Sequence, residues 1–63
     1  MKRVKFKIEI DTANDAVQGE PVIEVARMLR TTYLRILGDE AGGPVRDVNG
    51  NTVGAWAFTI EEE

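Results

Sequence analysis

Apolar and polar residues alternate strictly near the start of the chain. Between Arg3 and Ile10 every second residue is apolar, and the residues between them are charged. A period of two over this length is typical of a β-strand with one face in a core and the other in solvent. The pattern predicts a first strand whose core-facing residues are Val4, Phe6, Ile8 and Ile10.

Farther along the chain the spacing of apolar residues changes to three and four. Pro21 suits a first helical turn, because its φ is fixed near the helical value and its missing N–H removes no hydrogen bond there. Gly38 is suited to the position just past a helix end. The spacing predicts a helix over residues 20–37 whose apolar stripe packs on the sheet. That stripe consists of Val22, Val25, Ala26, Leu29, Tyr33, Ile36 and Leu37.

The segment RDVNGNTVGAWAF, residues 46–58, contains the strongest turn signal. Asn49 and Gly50 both tolerate the positive φ that a two-residue type I′ turn requires. The sequence therefore predicts a hairpin between strands over residues 45–48 and 52–60. The segment between the first strand and the helix, residues 11–19, is rich in turn formers and predicts a connection.

The same hairpin decides which of its side chains face the helix. A two-residue turn places Val45 opposite Gly54 and turns Trp56 and Phe58 toward the core. A four-residue turn over residues 49–52 keeps the same faces. Because Gly54 has no side chain, we expect the indole or a neighbouring backbone to approach it closely.

The order of elements predicts an α+β fold of β-α-β-β type. One helix would pack on one face of a three-stranded sheet that ends in the Asn-Gly hairpin. We expect strand order 2-3-1, with the long last strand in the middle. A chain of 63 residues forms a single small domain, 1–63, in which the acidic residues 61–63 are expected to be a disordered tail.

The residue types in the chain argue against catalysis. There is no cysteine and no histidine, so the commonest nucleophile, general base and transition-metal ligands are missing. A domain of this size also has little room for a cleft in which carboxylates would do acid–base chemistry. We expect a protein that is not an enzyme, with no catalytic residue and no cofactor.

The hairpin turn invites comparison with a calcium loop. Asp47, Asn49 and Asn51 have the spacing of its first oxygen ligands, but Thr52 stands where glycine is needed and Phe58 where a bidentate glutamate is needed. The flanking segments also predict strands, whereas a calcium loop of this type joins helices. We interpret these three residues as turn residues whose side chains bond nearby backbone, and we expect no metal site.

Charge and hydropathy favour a soluble protein. The formal net charge is −3, and no apolar stretch is long enough to span a membrane. The basic residues that follow Met1 are not succeeded by the apolar segment of a signal peptide. The sequence therefore predicts a cytoplasmic protein without a membrane partner.

Two stretches carry a resemblance to a known group of proteins. Residues 21–30, of the form PxxEVARxLR, and residues 46–56, of the form RDVNGNTVGxW, resemble small uncharacterised proteins encoded by bacteriophages and prophages; residues 5–11 contribute more weakly. Together they cover about half the chain. The resemblance implies a phage or bacterial origin and a bacterial host cytoplasm. It implies no activity and no functional residues.

The sheet face away from the helix is the predicted contact face. Its small apolar residues allow a flat approach by another protein or by a second copy, so protein binding, with a homodimer favoured, is the predicted role. The basic side chains of the first strand support an alternative, a nucleic-acid-binding accessory protein. We rank nucleic-acid binding below protein binding, because the net charge is negative and that face has no aromatic residues. The predicted contact face consists of Arg3, Lys5, Lys7, Arg46, Val53, Ala55 and Ala57.

Overall fold

The computed structural model describes residues 1–13 and 19–62, so the connection predicted over residues 11–19 lies partly outside the described residues. One helix lies against one face of a three-stranded antiparallel sheet, with strand order β1-β3-β2. The predicted α+β class, the β-α-β-β order and the central position of the last strand are confirmed. The elements are β1 (Lys2–Ile10), α1 (Pro21–Leu37), β2 (Gly42–Arg46) and β3 (Thr52–Glu62).

Helix α1 ends at Leu37, as predicted, but the residues that cap it differ from the prediction. Gly38 is the C-cap, and the next residue, Asp39, has a φ of 66°. The Asp39 N–H donates to the Ile36 carbonyl at 3.0 Å, and the Glu40 N–H donates to the Arg35 carbonyl at 3.1 Å. This is the Schellman arrangement, so the left-handed residue is an aspartate one position later than the glycine that was expected.

Strands β1 and β3 pair along their whole length. Ile8 lies opposite Trp56 and Phe6 opposite Phe58, which confirms that these residues share the helix-facing side of the sheet. The end of β3 corrects an expectation for Glu61 and Glu62, which belong to the strand and lie opposite Arg3 and Lys2. A disordered tail was predicted over residues 61–63, and residue 63 lies outside the described residues. Opposite charges at these cross-strand positions attract each other, which stabilises the pairing at the end of β3.

Close approach of backbones at Gly54 confirms another prediction. A Cβ on this residue would overlap the carbonyl oxygen of Glu9 in β1. Glycine is therefore needed here because the β1 backbone occupies the space that a side chain would fill.

Strand β2 begins earlier than predicted. Gly42, Gly43 and Pro44 pair with β3, although the strand was predicted to begin at Val45. Pro44 is compatible with this position because β2 is an edge strand. Its carbonyl oxygen accepts a hydrogen bond from Arg35 Nη1 at 2.8 Å, which ties α1 to the edge of the sheet.

The hairpin turn is not of the predicted type. The Asp47 N–H donates to the Asn51 carbonyl, and the Gly50 N–H donates to the Asp47 carbonyl, both at 3.0 Å. Gly50 has a φ of 84°, whereas φ of Asn49 is not positive. The loop is therefore the three residues 48–50, with a glycine in left-handed conformation at its end. Both the two-residue type I′ turn and the four-residue alternative are wrong.

A β-bulge follows from this turn and moves one predicted site residue. Val45 lies opposite Gly54, as predicted, but Arg46 lies opposite Thr52, so Val53 is an extra residue on β3. The bulge directs Val53 into the core, where it is 8% exposed. Its predicted place on the contact face is wrong. The buried apolar residues of the described chain are Met28, Val45, Val53 and Trp56.

Helix α1 is rotated relative to its predicted apolar stripe. It packs on the sheet through Met28 and Thr32, which are 1% and 4% exposed and lie outside that stripe. The Thr32 hydroxyl donates to the Met28 carbonyl at 3.0 Å, so this buried polar group is satisfied. Val25 and Ile36 of the stripe pack against the core only partly. The expectation that this stripe packs on the sheet is wrong for Val22, Ala26, Leu29 and Leu37, which are exposed, and Tyr33 is exposed as well.

Candidate functional site

An open groove lies between α1 and β1, on the helix-covered face of the sheet. Its volume is about 330 Å³, and its accessible surface is almost entirely apolar. Charged side chains do not line it within the described residues. We call it the apolar groove, and it is lined by Phe6, Leu29, Thr32, Tyr33, Ile36 and Leu37.

The groove exists because α1 contacts the β2 side of the sheet and leaves the β1 side uncovered. Arg35 ties the helix to Pro44 of β2, and Met28 packs with Val45 and Trp56. At the β1 edge of the same face Phe6 remains 47% exposed. The apolar stripe that the sequence shows on α1 therefore faces the groove more than the core.

Aromatic packing holds the floor of the groove in place. The ring of Phe6 lies 6.5 Å from the ring of Trp56 and 6.5 Å from the ring of Phe58, in tilted geometries. Such contacts stabilise the ring positions beyond simple burial. An incoming apolar group would thus meet a surface that is already formed.

The predicted contact face is only partly assembled. Lys5 lies opposite Thr59 and Lys7 opposite Ala57, so Arg3, Lys5, Lys7, Ala55 and Ala57 share the outer side of the sheet, and the two alanines are exposed as expected. A shallow depression of about 200 Å³ lies over the two alanines.

The two remaining residues of the predicted contact face lie elsewhere. Val53 is in the core, and Arg46 is on β2, at the opposite edge of the sheet from the basic residues of β1. Arg46 instead lines a cleft on the β2 side of the helix. Strand β3 separates it from the basic side chains with which the sequence grouped it.

The charges on the outer side of the sheet are mixed. Lys5 Nζ lies 3.3 Å from Glu61 Oε1, and Glu9 lies on the same side, opposite Ala55. The aromatic rings of Phe6, Trp56 and Phe58 pack on the helix side, away from these lysines. Nucleic-acid binding through this face stays a prediction.

Asp47 organises the hairpin turn. The side chain is buried, and its Oδ1 accepts the backbone N–H groups of Asn49 and Asn51, each at 2.9 Å. Its Oδ2 accepts the side-chain amide of Asn51 at 3.3 Å. The interpretation of Asp47 as a turn residue is confirmed. Over residues 1–13 and 19–62, no group of three or more acidic side chains is placed to hold a metal ion.

A second opening, which the sequence patterns did not predict, lies between α1 and β2. Its volume is about 570 Å³, and three guanidinium groups line it, together with Thr31, Thr32 and Asp47. Arg27, Thr31 and Arg35 are four residues apart, which places them on one flank of a helix. This four-residue spacing is the feature of the sequence that could have predicted a polar flank on the helix. We call this opening the arginine cleft, after Arg27, Arg35 and Arg46.

Comparisons of the chain with protein-family models, with curated proteins and with solved structures find no match. In the described part of the chain, no helix is long and apolar enough to cross a membrane.

Proposed function

We propose that this protein is a non-enzymatic binding protein that works by self-association, with the apolar groove as its contact surface. The observation that carries the proposal is the exposure of the apolar stripe of α1 beside an equally uncovered β1. Leu29, Tyr33 and Leu37 are 44%, 58% and 65% exposed. A patch of this kind marks an interaction site when its apolar residues are contiguous.

A second copy is the partner that fits the groove best. The groove is lined by apolar side chains and Thr32, without charge among the described residues, so it matches another apolar surface better than a phosphate backbone. A chain of this size gains stability when self-association buries surface that its own core cannot cover. In a two-fold dimer both copies use the same surface patch. The exposed apolar side chains of α1 in one copy can then pack into the apolar groove of the other.

The biological setting is a further part of the proposal. The resemblance of residues 21–30 and 46–56 to phage and prophage proteins supports a role in a bacterial host cytoplasm. There the dimer would present its outer sheet surface, with exposed Ala55 and Ala57, to a host or phage protein. The nucleic-acid alternative stays second in this proposal, since Lys5 on the outer side of the sheet is already paired with Glu61.

The test compares two leucines of the same helix by sedimentation velocity. Leu29 lines the apolar groove, whereas Leu34 is 56% exposed and does not line it. A glutamate at position 29 would have to lose its hydration in the dimer. We expect Leu29→Glu to raise the dimer dissociation constant about a hundredfold or more, and Leu34→Glu to leave it within about twofold.

Three other results would contradict the proposed dimer or favour a different contact surface. A monomeric wild-type protein at high concentration would refute self-association. Dissociation by Ala57→Glu without an effect of Leu29→Glu would move the interface to the outer side of the sheet. Binding of a labelled oligonucleotide that is lost in a Lys5→Gln, Lys7→Gln variant would support the nucleic-acid alternative instead.

A further inference from the structure

The arginine cleft contains more hydrogen-bond donors than the described residues use. Arg27 Nη2 donates to Glu24 Oε2 at 3.0 Å, but its Nε is buried and has no acceptor in the described part of the chain. Buried N–H groups are nearly always paired in folded proteins. The Nε of Arg27 is therefore a donor in the cleft that the described residues leave unused.

The other two guanidinium groups are positioned differently. Arg35 is fixed by its hydrogen bond to the Pro44 carbonyl and by Glu40, whose Oε1 lies 3.4 Å from Arg35 Nε. Arg46 is exposed and makes no ion pair within residues 1–13 and 19–62. One arginine of the cleft is thus held rigidly by the sheet, and one is able to move onto a ligand.

The charge lining the cleft is positive. Three arginines face one carboxylate, that of Asp47, whose oxygens already accept three N–H groups of the hairpin turn. Glu24 and Glu40 each contact one of the arginines but do not line the opening. An anion with several acceptor oxygens would find donors without displacing these contacts.

We propose that the arginine cleft binds the phosphate group of a small phosphate monoester. The tetrahedral group presents oxygens toward α1 and β2 together, whereas a carboxylate has two oxygens in one plane and is satisfied by a single arginine fork. The cleft volume lies in the range of small-molecule sites and exceeds the size of inorganic phosphate. Met28, Pro44 and Val45 line the remainder and would contact the organic part.

This site is independent of the proposed dimer. The arginine cleft lies on the β2 side of α1 and the apolar groove on the β1 side; the two share Thr32. Ligand binding is therefore expected in the Leu29→Glu variant as well as in the wild type.

The experiment is a titration followed by ¹H–¹⁵N NMR, with phenyl phosphate as the probe. Benzoate at equal concentration and sodium chloride at equal ionic strength are the controls. We expect saturable shifts of the Arg27 Nε–Hε signal and of the backbone amides of residues 45–47 with phenyl phosphate. Inorganic phosphate, which lacks the organic part, is expected to bind more weakly at the same signals.

Two arginines of α1 supply the matched variants. Arg27→Gln removes the orphaned donor and is expected to weaken binding about tenfold, as loss of a charged hydrogen-bond donor usually does. Arg30→Gln changes an exposed arginine outside the cleft and should alter affinity by less than about twofold. Arg46→Gln tests the same site at an exposed position where the fold is not at risk.

Three results would overturn the proposal. Equal shifts with chloride would mean that only ionic strength is sensed. Equal affinity for benzoate would mean that the site does not select phosphate. Equal losses in Arg27→Gln and Arg30→Gln, with none in Arg46→Gln, would place any binding outside the cleft.

Discussion

Single residues decide the geometry of the hairpin. The sequence of Asn49 and Gly50 identified the position of the turn but not its length. The carboxylate of Asp47 accepts two backbone N–H groups of the turn, and this network favours the three-residue loop over a type I′ turn. Such a preference depends on the distances of a folded side chain, so residue propensities alone do not reveal it.

The three-residue loop predicts unequal roles for Asn49 and Gly50. Gly50 has a positive φ, where an alanine Cβ is strained, so Gly50→Ala should lower the free energy of unfolding by about 1–2 kcal/mol. Asn49→Ala should cost less, since φ at that residue is not positive. Urea unfolding of both variants measures the difference.

Gly19→Ala is the matched control for this substitution. A Cβ at Gly19 would meet no atom within 4 Å, and its φ is not positive. Its free energy of unfolding should therefore stay within about 0.5 kcal/mol of the wild type. If Asn49→Ala proved as damaging as Gly50→Ala, the loop assigned here would be wrong.

At the scale of elements, the pattern of apolar residues predicted the bounds of α1 but not its rotation. The spacing of apolar residues shows which side of a helix is apolar. It does not show which side packs against the sheet, because that depends on contacts with the other elements. Met28 fits against Val45 and Trp56, and the hydrogen bond from Arg35 to Pro44 holds the helix on the β2 side. These contacts depend on β2, whose start at Gly42 was also missed.

The pairing of β1 with β3 gives a prediction at the same scale. Gly54→Ala would place a Cβ against the Glu9 carbonyl, so the two strands must separate locally. We expect a loss of about 1–3 kcal/mol in the free energy of unfolding, measured by urea denaturation. Amide hydrogen exchange should increase around Glu9 and Ile10.

Gly43→Ala serves as the control because it lies on the other strand pair. A Cβ there would contact Arg35 Nη1 at 3.6 Å and Trp56 Nε1 at 3.7 Å, which are ordinary packing distances. A Gly54→Ala protein as stable as Gly43→Ala would show that the two backbones are farther apart than described.

The whole molecule has a small core and a large uncovered apolar surface. Fold class, strand order and helix length follow from sequence patterns, because periodicity of two and of 3.6 is a property of isolated elements. The candidate site does not follow, because both openings arise from how α1 is placed on the sheet. Val53 is an example: strict alternation along β3 predicts that it lies on the outer side of the sheet, but the β-bulge directs it into the core.

If the apolar groove is an interface, thermal stability must depend on protein concentration. Association favours the folded state by mass action, so a rise of about a hundredfold in concentration should raise Tm by at least about 5 °C. Calorimetry over that range measures the effect. The Leu29→Glu variant should lose the dependence, and Leu34→Glu should keep it.

The two edges of the sheet differ in their ability to pair with a strand from another molecule. Strand β1 presents a nine-residue edge in the described chain, whereas β2 is short, and at Pro44 it has neither an N–H nor an unoccupied carbonyl. A strand from a second copy can therefore extend the sheet at β1 but meets a blocked edge at β2. Pairing through β1 would join two molecules into one sheet with a blocked edge at each end. In such an arrangement assembly would stop at two copies, because the Pro44 carbonyl is already bonded to Arg35 at both outer edges.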